Sequence, residues 1–344
     1  MASTKYLLPA FAFASTVLGK WESSHRRALL YYPDQPMLYI YTPDRMANSL
    51  TAAQCSNSGT LTVTASADAT ALASCTTYTG SVSVPSSLSI PAGSDGHQSL
   101  SIDGVKRITG NLTVTGAVNL AGLTLGSLRQ LGGFELGGLY VLSTLSAPQL
   151  IRVETLNFTA LPALQQLDFG TGLNQASSVL ITNTGLSSLG GISSLQQIDI
   201  FNVNNNQALT NITLNVTSIK KSLDIEANDG FISGLSTSFP SLQTAQNMTF
   251  RNCSDVQLPS LANVTQDLGF YGNSFTSFAA PMLTTAGGLV FVDNTQLTNI
   301  SIPQLTSING TYQIANNTQL KQINGFTKLS VVTGALDFSG NFTE

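Results

Sequence analysis

Charge is scarce in this sequence. Only 9% of its 344 residues are Asp, Glu, Lys or Arg, against roughly 25% in an ordinary soluble domain. Ser, Thr, Asn and Gly fill the gap, so the surface is expected to be wetted by hydroxyls, amides and attached sugar. The balance is mildly acidic, net −4 with a pI of about 5.1, which argues against a nucleic-acid partner. Histidine is scarcer still, with only His25 and His97 present. No GxSxG, HExxH, P-loop or Cys/His cluster occurs, so no catalytic residue, metal site or cofactor is expected. No apolar run of 18 residues lies beyond the N-terminus, so no spanning helix is expected. Three cysteines are a small, odd number. Cys55 and Cys75 lie close in sequence and either pair, closing a loop worth about 3 kcal/mol, or stay free like Cys253.

What the sequence does contain is repetition. Leu223-Asp-Ile225-Glu-Ala-Asn228 recurs as Leu268-Gly-Phe270-Tyr-Gly-Asn273 and Leu289-Val-Phe291-Val-Asp-Asn294. It recurs again at Tyr312–Asn317 and Leu336–Asn341, and at Met248–Cys253 with Cys in the Asn position. The steps are 25, 20, 21, 23 and 24 residues, the period of a leucine-rich-repeat-like solenoid. The two apolar residues are two apart, so both point to one face of a strand, and that face is inward. The Asn ends the strand, where its amide can satisfy backbone groups at the turn.

P-x-L triplets at Pro148, Pro162, Pro240, Pro259, Pro281 and Pro303 follow the same beat. Proline cannot donate to a ladder, so each is expected at a corner before a second short strand. With no ten-residue amphipathic helix in any copy, the expected fold is all-β: a right-handed parallel β-solenoid of leucine-rich-repeat-like coils, about ten of them from Leu100 onward, and the body resembles the receptor L-domain.

Four segments divide the chain. Residues 1–19 have the Lys5 n-region, apolar Tyr6–Leu18 and small residues of a secretory signal peptide. Residues 20–50 hold the single Trp and Arg26-Arg27 and lack the repeat, as an atypical insert or disordered linker would. Residues 51–99 are the expected N-terminal cap, and 100–344 the repeats. Leu100-Ser-Ile102 and Leu112-Thr-Val114 read as the first regular strands, followed by Phe134-Glu-Leu136, Leu156-Asn-Phe158, Leu167-Asp-Phe169 and Val179-Leu-Ile181. At Ile198-Asp-Ile200 the apolar pair fits but the Asn position slips.

Eleven N-x-[ST] sequons imply a heavily glycosylated secreted protein. Asn111, Asn157, Asn211, Asn215, Asn247, Asn263, Asn299 and Asn309 are the expected acceptors. Asn316 and Asn341 are set aside as near the inward turn position, and Asn252 because Cys follows it. Two sets of outward residues bear on function. The carboxylates Asp168, Asp199, Asp224, Glu226 and Asp337 are considered as a glycan-hydrolase group, with Asp199 and Asp224 as neighbours, but they do not extend into a cluster. Glu226, Arg251 and Tyr271 fall in one column, where an ion pair and an exposed aromatic can form a surface for a sugar ring.

The signal peptide, the Cys55/Cys75 start, the L-x-[IF]-x-x-N and P-x-L coils and the sequons resemble the fungal GPI-anchored cell-wall organisation proteins, the extracellular-mutant and sporulation-specific wall protein type. The resemblance spans about 51–344. It implies a non-enzymatic glycoprotein at the cell surface or wall, supporting wall integrity, with wall polysaccharides or wall proteins as partners. Membrane contact would come only through a GPI anchor, whose Ser/Thr stalk and apolar tail are missing from this sequence. A secreted polysaccharide hydrolase or lyase and a ligand-binding receptor fragment are the alternatives.

Overall fold

In the computed structural model the chain winds into a parallel β-solenoid of about 12 turns. The structure describes residues 54–228 and 234–343, all within the unit Asn48–Glu344. The proposed signal peptide 1–19, the segment 20–50 and residues 51–53 lie outside the described residues.

One sheet of sixteen strands runs the whole length, from Ser56–Thr62 to Leu336–Ser339. Three of its rungs are split in two, at 107–115, 307–315 and 331–339, so the sixteen strands make thirteen rungs. Its pairings are parallel, and they put Leu223, Met248, Leu268, Leu289, Tyr312 and Leu336 in one column. The first five are buried; Leu336 stands on the last rung and is 60% exposed. The next inward column stacks Phe250, Phe270 and Phe291, with adjacent ring centroids 5.5 and 4.7 Å apart. Aromatic stacking adds to area burial here because in-register rungs hold like rings face to face.

Three short sheets form the second side: Gln98–Ser101 with Leu120–Thr124 and Thr144–Ser146, Asn211–Thr213 with Leu235–Ser238 and Cys253–Gln257, and Ser277–Ala279 with Asn299–Ser301. Proline is placed differently from the expectation. The short strand comes before the proline. Leu150, Leu242, Leu261, Leu283 and Leu305 each donate their N–H to the residue just before the proline, at 3.0–3.4 Å. Apolar-Pro-x-Leu is thus a β-turn with Pro at its second position, where a fixed φ suits the turn and no N–H is needed. The apolar residue three further on (Val153, Ala245, Val264, Ala286, Ile308) opens the next rung of the long sheet.

Three other strand assignments move. Val82-Ser-Val84 already pairs in register with Leu112-Thr-Val114, so regular rungs begin before Leu100, and Leu100 itself belongs to a short sheet. Leu167-Asp-Phe169 is not a rung; Asp168 bridges Ser146 on the second side. Phe201 and Val203, not Ile198 and Ile200, are the core pair opposite Leu223 and Ile225. That register puts Asn206 in the Asn position with no slip. Between 51 and 99, the helix Ser66–Leu72 buries Ala69 and Leu72 beside the first coils.

Candidate functional site

The Asn positions form a buried ladder. Each Oδ1 accepts the backbone N–H of the preceding coil: Thr184 to Asn206, Asn206 to Asn228, Cys253 to Asn273, Asn273 to Asn294 and Asn294 to Asn317, all at 2.8–3.0 Å. Each Nδ2 reaches back to a strand carbonyl, such as Phe270 for Asn294 and Phe291 for Asn317. An asparagine is suited to this because it donates and accepts at once. The residue before it sits at positive φ, 54° for Asn205, 59° for Asn252, 59° for Asp293 and 58° for Asn316. Asn and Asp tolerate that left-handed corner better than most side chains. The sequon asparagines Asn252 and Asn316 stand at this corner. Asn316 and Asn341 are nevertheless exposed; the buried ladder residue is Asn317, next to Asn316. Cys253 occupies the ladder position as a buried thiol. Burial, with a smaller contribution from the Asp255 charge, pushes it up to about 12.

Outside the core the long sheet presents three columns of outward residues. Glu226, Arg251 and Tyr271 are neighbours in one of them. Arg251 Nε lies 3.4 Å from Glu226 Oε2, and its guanidinium carbon lies 4.2 Å from the Tyr271 ring centroid. The ring edge stands over Gly269, where an added Cβ would come within 2.6 Å of it. One ring face is thus occupied by the guanidinium. The ion pair is about half exposed and adds at most about 1 kcal/mol.

The carboxylates do not converge. Asp224 has Asn202 and Thr249 as its rung neighbours. Asp199 is displaced to the bend of its strand, where it meets Lys220 Nζ at 3.6 Å. Asp168 accepts from Ser146, and Asp337 from Gln313. The expected Asp199–Asp224 pair is therefore not formed, because a bulge between Ile198 and Ile200 shifts the register. Among the described residues no group of three His, Cys, Asp or Glu is placed to hold a metal ion, and no helix is long and apolar enough to cross a membrane.

The structure joins Cys55 to Cys75 in a disulfide. Of the sequon asparagines, Asn111, Asn211, Asn215, Asn299 and Asn309 are exposed, and Asn157, Asn247 and Asn263 are half-buried. Asn157 Oδ1 accepts from Thr159, its own sequon hydroxyl, and Asn263 Oδ1 accepts from Thr285. The sequence reading missed the bend itself. An open groove there is lined by Arg152, Glu154, Gln175, Gln197, Asp199 and Lys220, among others. The signal was present as scattered cations whose alignment depends on coil register.

Coils of this period, with a buried Asn ladder and a Pro turn, define a leucine-rich-repeat β-solenoid protein. The BspA type leucine rich repeat region family matches residues 141–223 and 233–338 in six copies. Protein ecm33 of Aspergillus fumigatus is 41% identical over 87% of this chain and 72% of its own. A cell surface GPI-anchored protein of Arthroderma benhamiae is 39% identical over 83% of this chain and 70% of its own. Sporulation-specific protein 2 of Saccharomyces cerevisiae is 31% identical over 69% of this chain and 47% of its own. No solved structure matches. The chain belongs to the Ecm33 family of fungal cell-surface and cell-wall proteins. Its location is accordingly the cell surface or wall.

Proposed function

We propose that the chain is a non-enzymatic wall glycoprotein. It acts as a rigid rod whose outer sheet holds wall polysaccharide or wall protein and so supports wall integrity. The observation that carries this reading is the Glu226–Arg251–Tyr271 stack on a flat face. Thirteen rungs about 4.8 Å apart span about 58 Å, enough to contact an extended polymer at many points. The free edge and outer face of the Tyr271 ring supply apolar contact, and the Arg251–Glu226 pair supplies hydrogen bonds to hydroxyls. Scattered carboxylates without a paired acid and base favour binding over hydrolysis.

The exposed sequons Asn111, Asn211, Asn215, Asn299 and Asn309 are proposed as the main glycan sites, with Asn157, Asn247 and Asn263 less accessible to the modifying enzyme. The Cys55–Cys75 bridge is proposed to pin the first coil. Attachment to the membrane is proposed to be through a glycolipid anchor.

Co-sedimentation of the purified protein with insoluble wall glucan tests the binding reading. Tyr271→Ala is expected to lower bound protein several-fold while leaving the circular dichroism unchanged. Unchanged sedimentation would remove this column as the contact. Release of reducing sugar from the same glucan by the wild-type protein would overturn the non-enzymatic reading.

A further inference from the structure

Charge is rare here and it is also segregated. The described residues contain nine lysines and arginines and thirteen carboxylates. Six of the nine cations lie along one edge of the solenoid, where each rung bends into the long sheet: Lys106, Arg107, Arg129, Arg152, Lys220 and Lys221. All six are exposed. The register shows why they gather. Arg129 N–H bonds to Lys106 O at 2.8 Å, which makes these two cations neighbours on adjacent rungs. Arg107 pairs with Gln130, and Gln130 with Arg152, in the next column.

Few carboxylates offset this edge. Asp199 is engaged by Lys220. Asp103 accepts from Ser101 Oγ and from the Gly126 N–H. Glu154 is the remaining one. Among the described residues only Lys220 and Arg251 form ion pairs, so Lys106, Arg107, Arg129 and Arg152 have no carboxylate partner. Between Arg152 and Lys220 the open groove is lined by Gln175, Gln196 and Gln197 together with the carboxylates Glu154 and Asp199.

We propose that this edge binds a linear acidic polysaccharide lying along the solenoid axis, with its anions on the arginines and lysines and its hydroxyls on the carboxamides. From Arg107 to Lys220 the edge covers five rung spacings, about 24 Å. Cations stand on four of these six rungs, with Gln175 and Gln197 on the two between Arg152 and Lys220, and guanidinium groups hold carboxylate or phosphate oxygens in pairs. Two features favour a glycan over a nucleic acid. The groove lining has no aromatic ring on which a base could stack, and amides alternate with the cations. No sequon asparagine lines the groove between Arg152 and Lys220; Asn111 stands on the rung of Arg107, at one end of the edge, and Asn263 and Asn309 occupy the same bend farther along. The inference rests on the wall-surface reading for its choice of polymer, but it uses a different face from Tyr271.

The test measures binding of the full chain to polygalacturonate, to long-chain polyphosphate, to neutral glucan and to anionic phospholipid vesicles at 50 mM and 500 mM NaCl. Wild type is expected to bind polygalacturonate or polyphosphate at low salt and to lose most of that binding at high salt. The two arms distinguish carboxylate from phosphate as the recognised anion. The double variant Arg107→Gln/Arg152→Gln is expected to weaken binding at least tenfold, with neutral-glucan binding unchanged. Lys321→Gln/Lys328→Gln removes equal charge from the far end and is expected to have no effect. Equal loss in both double variants would overturn the proposal, as would no binding of either polyanion or binding to vesicles alone. Loss of glucan binding in Tyr271→Ala with polyanion binding intact would leave it standing.

Discussion

Asn294→Ala tests whether the buried ladder holds the coils together. Asn294 is fully buried. Its Oδ1 accepts the Asn273 N–H at 3.0 Å and Asn273 Nδ2 at 2.9 Å, and its Nδ2 donates to Phe270 O at 3.1 Å and Asn317 Oδ1 at 3.0 Å. After truncation, Asn317 Oδ1 keeps the Asn294 N–H, and Asn273 Nδ2 keeps Phe250 O. The Asn273 N–H and the Phe270 carbonyl each lose a partner in a place water does not reach. At about 1–3 kcal/mol for each of the two stranded groups, the loss is about 2–6 kcal/mol, or about 4–12 °C at about 2 °C per kcal/mol for a body this large. Urea unfolding followed by circular dichroism reads the midpoint, and hydrogen exchange should show the opening centred on the rungs of Phe270 and Phe291. Asn294→Asp keeps the acceptors but turns an oxygen toward two other oxygens, so it should cost at least as much at neutral pH. Asn341→Ala occupies the same repeat position on the exposed last rung and should change stability by less than about 0.5 kcal/mol. An Asn294→Ala protein within that same margin of wild type would refute the ladder as a stabilising element.

Two further outcomes are expected. Because the fold favours the protonated Cys253 thiol, that contribution is complete below its ordinary value of 9.0 and is lost as pH rises toward about 12, up to about 4 kcal/mol in all. Burial raises the Tyr312 hydroxyl in the same direction. Stability should therefore fall across pH 9 to 12, and an aromatic disulfide reagent at pH 8 should label Cys253 only after unfolding. Reduction of Cys55–Cys75, which are 20 residues apart, should cost about 3 kcal/mol and expose the first coils to protease while the later coils resist.

Much of this architecture could be read from residue order because a stack of near-identical coils repeats its instructions. Leu, x, Ile or Phe, then Asn announces a strand with one inward face, and the column Leu223 to Tyr312 follows from the period alone. Corner chemistry was less legible. Proline reads equally well as the start of a strand or the second position of a turn, and only the Leu150-type N–H bonds show the turn. Ile198-Asp-Ile200 looks as good a core pair as Phe201 and Val203, because a bulge moves the register by three residues without altering the local pattern.

Sequence by itself determined the repeat, the inward columns and Asn positions from Leu223 to Asn317, and the Glu226, Arg251, Tyr271 column, since each depends on spacing within one or two coils. Tertiary structure alone decided that Asp199 meets Lys220 rather than Asp224, that Arg251 covers one face of Tyr271, and that Lys106, Arg107, Arg129 and Arg152 share an edge. Those contacts lie between coils of unequal length, and a single bulged residue sets which side chains come abreast.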